Sequence, residues 1–196
     1  MKLNKTLIIF LIGFIVSTTS FSQNYTEKDT LTVDDFHFTV ERTFVNKSMW
    51  SIPYRYQEEG LECLTVKLTI ETLNPKVKSI DPNVICLVDD NNKLRIRPSG
   101  IFYFKKDKRV YLKSKPVNTN YDSYKEFSLK DYTDFEAEIY KTNMLGLRKK
   151  KIKESVQQLK EIPFKIKKIT YYLDFPVKEG YTNGKLFFKD KEIIVH

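Results

Sequence analysis

Leu64-Thr65-Val66-Lys67-Leu68-Thr69-Ile70 alternates apolar and polar residues without a break. Successive side chains of an extended chain point to opposite faces, so this is the pattern of a strand buried on one side. The same period recurs on both sides of it. Phe36, Phe38 and Val40 alternate with His37, Thr39 and Glu41, and near the end Ile169, Tyr171, Leu173, Phe175 and Val177 alternate with Thr170, Tyr172, Asp174 and Pro176. Between them Ile85 and Leu87 precede Asp89-Asp90-Asn91-Asn92, which reads as a hairpin turn setting Leu87 opposite Leu94 and Ile85 opposite Ile96. The other face of that hairpin, with Cys86, Val88, Lys93, Arg95 and Arg97, reads as largely solvated. Weaker strands are expected at 101–104, 109–113, 124–129 and 135–140, and a closing strand over 186–195 after the turn pair Asn183-Gly184, both of which tolerate positive φ. Many short strands separated by turn residues predict an all-β fold, an antiparallel two-sheet sandwich.

One segment departs from period two. Over 145–161, Leu145, Ile152, Val156 and Leu159 fall within roughly 60° of one another at helical spacing. The reading is an inserted basic helix with a thin apolar stripe, stopped by Pro163. Its other faces carry Arg148, Lys149, Lys150, Lys151, Lys153 and Lys160, either a solvated connector or an anion-binding surface.

The N-terminus reads as an export signal rather than as fold. Lys2 and Lys5 give it a positive start, 7–16 is apolar, and Ser20 and Ser22 are the small residues before a cut that makes Gln23 the new terminus. The apolar run is about half the roughly 20 residues a membrane-spanning helix needs. The expectation is a signal peptide over 1–22 and one domain over 23–196, secreted or periplasmic, with no transmembrane segment after processing.

Composition narrows the chemistry. The chain has 196 residues, 34 Lys plus Arg against 25 Asp plus Glu, and only 2 His, one of them His196 at the end. A His-rich zinc site is excluded, and any His-dependent nucleophile would rest on His37. Basic charge on an exported chain favours an anionic glycan or lipid as partner over nucleic acid, although lysines also blunt sheet edges. Gly180-Tyr181-Thr182-Asn183-Gly184-Lys185 lacks the spacing of a phosphate loop. Asp89 to Asn92 lacks the central Gly and the acidic twelfth position of a calcium loop, since Gly100 stands there. Adjacent Glu58 and Glu59 point apart and do not make a glycosidase pair. The expectation is no enzyme, no metal and no cofactor. Cys63 and Cys86 are both out of phase with their core-facing neighbours, so their thiols point away from the core and bridge only if their strands are neighbours in one sheet.

The order Val33-Asp34-Asp35-Phe36-His37-Phe38-Thr39-Val40, then 64–72, Ile80-Asp81-Pro82, Cys86-Leu87-Val88-Asp89-Asp90 and Phe175-Pro176-Val177 resembles the small bacterial secreted domains of immunoglobulin-like fold found in lipoproteins and immunogenic exported proteins. The resemblance implies an immunoglobulin-like sandwich and carries no catalytic residues to transfer. This chain departs from it in lacking a lipid-attachment Cys near the cut and in inserting the basic stretch 140–168.

Function is expected to be binding of a protein or envelope component. The candidate ligand site is Trp50, Tyr54, Arg55 and Tyr56, in a Pro-interrupted segment rich in the residue types that dominate binding hot spots. A second candidate binds acidic glycan or lipid head groups through Arg148, Lys149, Lys150, Lys151 and Lys153 with Lys165, Lys167 and Lys168. For Trp50 the alternative is a plug closing one end of the core.

Overall fold

The computed structural model describes residues 30–46, 54–56, 59–112, 114–116, 131–135, 137, 139–142, 149–152, 157–159, 161–164, 167–181 and 184–194. The expected signal segment, the strand over 124–129, and Trp50, Glu58, Arg148, Lys153, Lys165 and Asn183 lie outside these residues.

The two main sheets are built from β1 (Thr30–Val33), β2 (Phe36–Asn46), β3 (Leu61–Thr72), β4 (Ile85–Asp89), β5 (Leu94–Ile96), β6 (Gly100–Lys105), β7 (Lys108–Tyr111), β8 (Thr133–Phe135), β9 (Lys168–Lys178), β10 (Gly184–Phe188) and β11 (Lys191–Ile194). The first sheet runs β1-β2-β3-β9-β6-β7 and the second β8-β5-β4-β10-β11. All neighbours are antiparallel except β8 and β5, which are parallel.

Alternation in β3 decides the packing, as its sequence predicts. Leu68 sits opposite Val40 and Tyr171, and Ile70 opposite Phe38 and Ile169, so the apolar positions of three strands form one continuous inner face. The second sheet supplies Ile85, Leu87, Ile96, Leu186, Phe188 and Ile193 to the same core. The Phe188 ring lies 4.9 Å from Phe38 and 5.8 Å from Phe36, which couples the sheets directly. A bulge between Val40 and Arg42 inserts Glu41 as an extra residue. Its carboxylate pairs with Lys67 at 2.6 Å and accepts from the Thr69 hydroxyl at 2.5 Å.

Several local expectations are corrected. The β4–β5 hairpin pairs Leu87 with Ile96 and Asp89 with Leu94, two residues away from the expected register. Asp89 is not in the turn; it is the buried last residue of β4, and its carboxylate accepts from the backbone of Asn91 and Asn92 at 3.0 and 3.1 Å. That side-chain cap moves the turn onward to Lys93, which adopts φ 54°. A slip of two residues keeps every face, so the core positions survive it.

The solvated reading of the hairpin's other face is also wrong for Cys86 and Val88, which are buried against Tyr132 and Phe187. The run over 186–195 is a hairpin rather than one strand, folded at Lys189 and Asp190 with Lys189 at φ 54°. Gly184 does not occupy positive φ; the turn glycine is Gly180, at φ 78°. Gly184 is needed for space, because a Cβ there would sit 1.5 Å from the Tyr181 hydroxyl oxygen.

Among its described residues, the inserted helix over 145–161 is not seen. Lys149–Ile152 is a strand paired with Ile139–Thr142, and Gln157–Leu159 is a strand paired with Ser114–Pro116. A helix would place Arg148 near Lys151 and Lys149 near Lys153, repelling pairs with only a thin apolar stripe to offset them. As a strand, the second half instead delivers Leu159 into the core, where it is 3% exposed.

Cys63 and Cys86 lie in different sheets, neither forms a disulfide, and both are fully buried on the outer faces. The segment around Phe135 and Ala137 covers Cys63. Burial pushes the Cys86 thiol far above its ordinary range, so the reactive thiolate is suppressed. A thiol reagent should therefore read neither cysteine in the native protein and both after unfolding without reductant. Rapid native labelling of either residue would contradict this burial.

Candidate binding cleft in the first sheet

β9 is hydrogen-bonded along its whole length to β3, but to β6 only at Tyr172–Phe102, Leu173–Ile101 and Asp174–Gly100. Beyond Tyr172 the two strands part. The wedge between them is a cleft of about 590 Å³, walled by Tyr103, Phe104, Tyr171 and Tyr172, with Lys67, Lys105 and Lys168 among its lining residues.

The aromatic wall follows from local sequence. Phe102 and Tyr172 are cross-strand partners on the outer face and stack at 4.7 Å with their planes 8° apart. Phe104, two residues further along β6, meets the Tyr172 ring edge-on at 5.5 Å and is 44% exposed. On the inner face Tyr103 meets Tyr171 at 5.7 Å. Arg109 of β7 lies over Phe102 and Phe104 at 5.3 and 5.8 Å, holding a cation against the same rings. The β6–β7 turn, Lys106-Asp107, has both residues at positive φ, the tight geometry that turns the hairpin at Lys105.

The lysines differ in partner. The Glu41 carboxylate holds the Lys67 ammonium above its ordinary range despite partial burial, so Lys67 stays charged and largely neutralised. Lys105 and Lys168 form no ion pair among the described residues. Thr170 in the floor bonds Thr69 at 2.7 Å, linking the cleft to the Glu41–Lys67 pair. Glu71 stands opposite Lys168 in the sheet, but its closest ammonium is that of Lys167. Aromatic walls with two ammonium groups outside any ion pair suit a ligand that is anionic and partly apolar.

Of the expected site residues, Lys168 lines this cleft, while Lys167 is 70% exposed and pairs with Glu71 at 2.9 Å. That ammonium holds the Glu71 carboxyl below its ordinary range. The two expected binding regions meet elsewhere, in their backbones. A three-stranded antiparallel sheet runs Lys149–Ile152, Ile139–Thr142, Tyr54–Tyr56. Its register aligns Arg55 with Tyr140 and Lys151, and Tyr54 with Lys141 and Lys150. Trp50, Arg148, Lys153 and Lys165 lie outside the described residues.

The Asp89 and Asp90 carboxylates that a calcium ion would need are engaged. Asp89 caps its own turn, and Asp90 accepts from the Tyr132 hydroxyl and pairs with Lys185 at 3.0 Å. Those two partners, the Tyr132 hydroxyl first, hold the Asp90 carboxyl below its ordinary range. Among the described residues no group of His, Cys, Asp or Glu is placed to hold a metal ion, and no helix is long and apolar enough to cross a membrane. His37 lies with Nδ1 3.0 Å from the Thr32 hydroxyl. Comparison with known protein families, curated proteins and solved structures returned no match.

Proposed function

We propose that the chain is an exported, non-enzymatic binding module, an immunoglobulin-like sandwich that captures an anionic ligand in the cleft between β6 and β9. The observation that carries the reading is the pairing of aromatic walls, Phe104 the exposed one among them, with Lys105 and Lys168, neither of which forms an ion pair among the described residues. The chain's basic excess supports it by drawing anions toward the surface. Two packed antiparallel sheets support the sandwich, and the charged and apolar N-terminal residues support export to the periplasm or medium. The cleft offers phenols, ammonium groups and one hydroxyl, with no carboxylate or imidazole among its described lining residues to pair as acid and base. Its natural ligand belongs to a protein or envelope component. The basic stretch that includes Lys149, Lys150 and Lys151 extends the attraction for polyanions such as acidic glycans and lipid head groups, with Lys168 common to both surfaces.

The test offers anions of different classes: vesicles containing an anionic phospholipid, a sulfated oligosaccharide and an acidic peptide, with neutral vesicles and dextran as controls. At least one anionic probe should bind, and its affinity should fall steeply as salt rises. Combining Lys105→Glu with Lys168→Glu should weaken that binding about tenfold or more while leaving the melting temperature unchanged, because both side chains sit at the surface. Binding of no anionic probe, or equal binding by the double variant, overturns the proposal.

A further inference from the structure

We infer that the occupant of the cleft is an extended acidic polypeptide segment that adds itself as a strand along the free edge of β9. The inference rests on the anion-binding reading above. Its independent support is in the backbone. Leu112 donates its N–H to the Ile101 carbonyl at 2.9 Å, which turns the Ile101 backbone toward β7. Backbone groups of successive strand residues face opposite sides, so those of Phe102 and Phe104 face β9.

Phe102 finds Tyr172 there. The next pair in the same register is Phe104 with Thr170, and it is not formed. The amides and carbonyls of Phe104 and Thr170 therefore face the cleft, whereas Ile169 and Tyr171 are turned to Ile70 and Leu68 of β3. An edge of unmade N–H and C=O groups is the template on which an incoming strand pairs.

Charge and side-chain chemistry then select the strand. Lys168 on β9 and Lys105 on β6 stand among the lining residues, and Tyr171, Tyr172, Tyr103 and Phe104 supply apolar faces between them. A strand alternates its side chains, so acidic residues at every second position match Lys168 on the outer face while the apolar ones between them meet Tyr103 on the inner face. An acidic glycan matches the charge but has no two-residue repeat of N–H and C=O to complete the two edges.

The probe is the hexapeptide acetyl-Glu-Val-Glu-Val-Glu-Val-amide, compared with the same peptide carrying N-methyl groups on its backbone amides and with a sulfated oligosaccharide. The plain peptide should bind. Binding should slow hydrogen exchange at the Thr170 and Phe104 amides by about tenfold or more, with little change at Ile169 and Tyr171. N-methylation should weaken binding by about tenfold or more, since charge and side chains are kept while the donors are lost. Equal binding of the methylated peptide, or binding without protection at Thr170 and Phe104, overturns the inference. Binding of the oligosaccharide alone, sensitive to the paired Lys105→Glu and Lys168→Glu changes, also overturns it and leaves the anion-binding proposal standing. Failure of every anionic probe removes both.

Discussion

Phe38→Ala should lower the stability of the folded chain by about 3–5 kcal/mol. Phe38 is fully buried on the inner face of β2, with its ring 5.9 Å from Phe36 and 4.9 Å from Phe188. Phe188 belongs to the opposite sheet, so the ring is part of what holds one sheet against the other. Removing it loses the transfer energy of the ring and leaves a cavity. Both sheets resist collapse into that space, because Phe38 stands opposite Ile70 on a strand hydrogen-bonded on both sides. Urea unfolding measures the effect directly, and in a domain of this size it corresponds to a fall in melting temperature of about 6–20 °C. The matching change at Phe104, 44% exposed in the cleft wall, should cost much less. A loss below about 1 kcal/mol for Phe38→Ala would show that the two sheets do not share this core.

Phe38 was legible because its period is. In β2, β3 and β9 the inward residues are marked by alternation alone, and a strand's faces depend only on odd or even position. That is also why the hairpin register could be wrong by two residues while Leu87 and Ile96 stayed correctly assigned to the core. What moved the turn was the Asp89 carboxylate bonding to two backbone amides, a local competition that period two does not encode. The outer faces were misjudged for a different reason. Cys86 and Val88 look solvated within their own hairpin, and what covers them is Phe187 of β10 and Tyr132, from a segment 44 residues beyond Val88 in the numbering.

The cleft was less legible than the core. Its aromatic residues come from two separated strands, and nothing in either strand announces that pairing stops at Tyr172–Phe102. A signal was present all the same. Phe102-Tyr103-Phe104 and Tyr171-Tyr172 put large rings on both faces of their strands, where a strand with one solvated side would place polar groups on alternate positions. Rings on the nominally polar face of β6 and β9 mark that face as more than a solvated surface. Lys168 was named among the anion-binding residues for its charge, and its place beside Tyr171 and Tyr172 gives that charge a cleft to act in.

Asn83→Ala should cost about 2–5 kcal/mol, although it deletes one small polar side chain. Asp81 accepts from the Asn83 backbone N–H at 2.9 Å and caps a short 3-10 turn, Pro82–Val84, that enters β4. The Asn83 amide is held beyond that cap by Leu159. Its Nδ2 donates to the Leu159 carbonyl at 2.8 Å, and its Oδ1 accepts from the Leu159 N–H at 2.8 Å. The side chain thus stands in for a neighbouring strand and lets Leu159 enter the core as extended chain, the part of 145–161 that helical spacing misread. Without the amide, the Leu159 N–H and C=O lose these bonds in a buried setting, and each such group left unmade costs about 1–3 kcal/mol. Asn83→Leu separates this account from simple packing. It fills the volume yet removes the same two hydrogen bonds, so it should destabilise about as much as the alanine. Urea unfolding of both variants decides the matter. Recovery of native stability by the leucine would mean that Asn83 matters for its volume, and that something other than this amide draws the segment before Pro163 into strand.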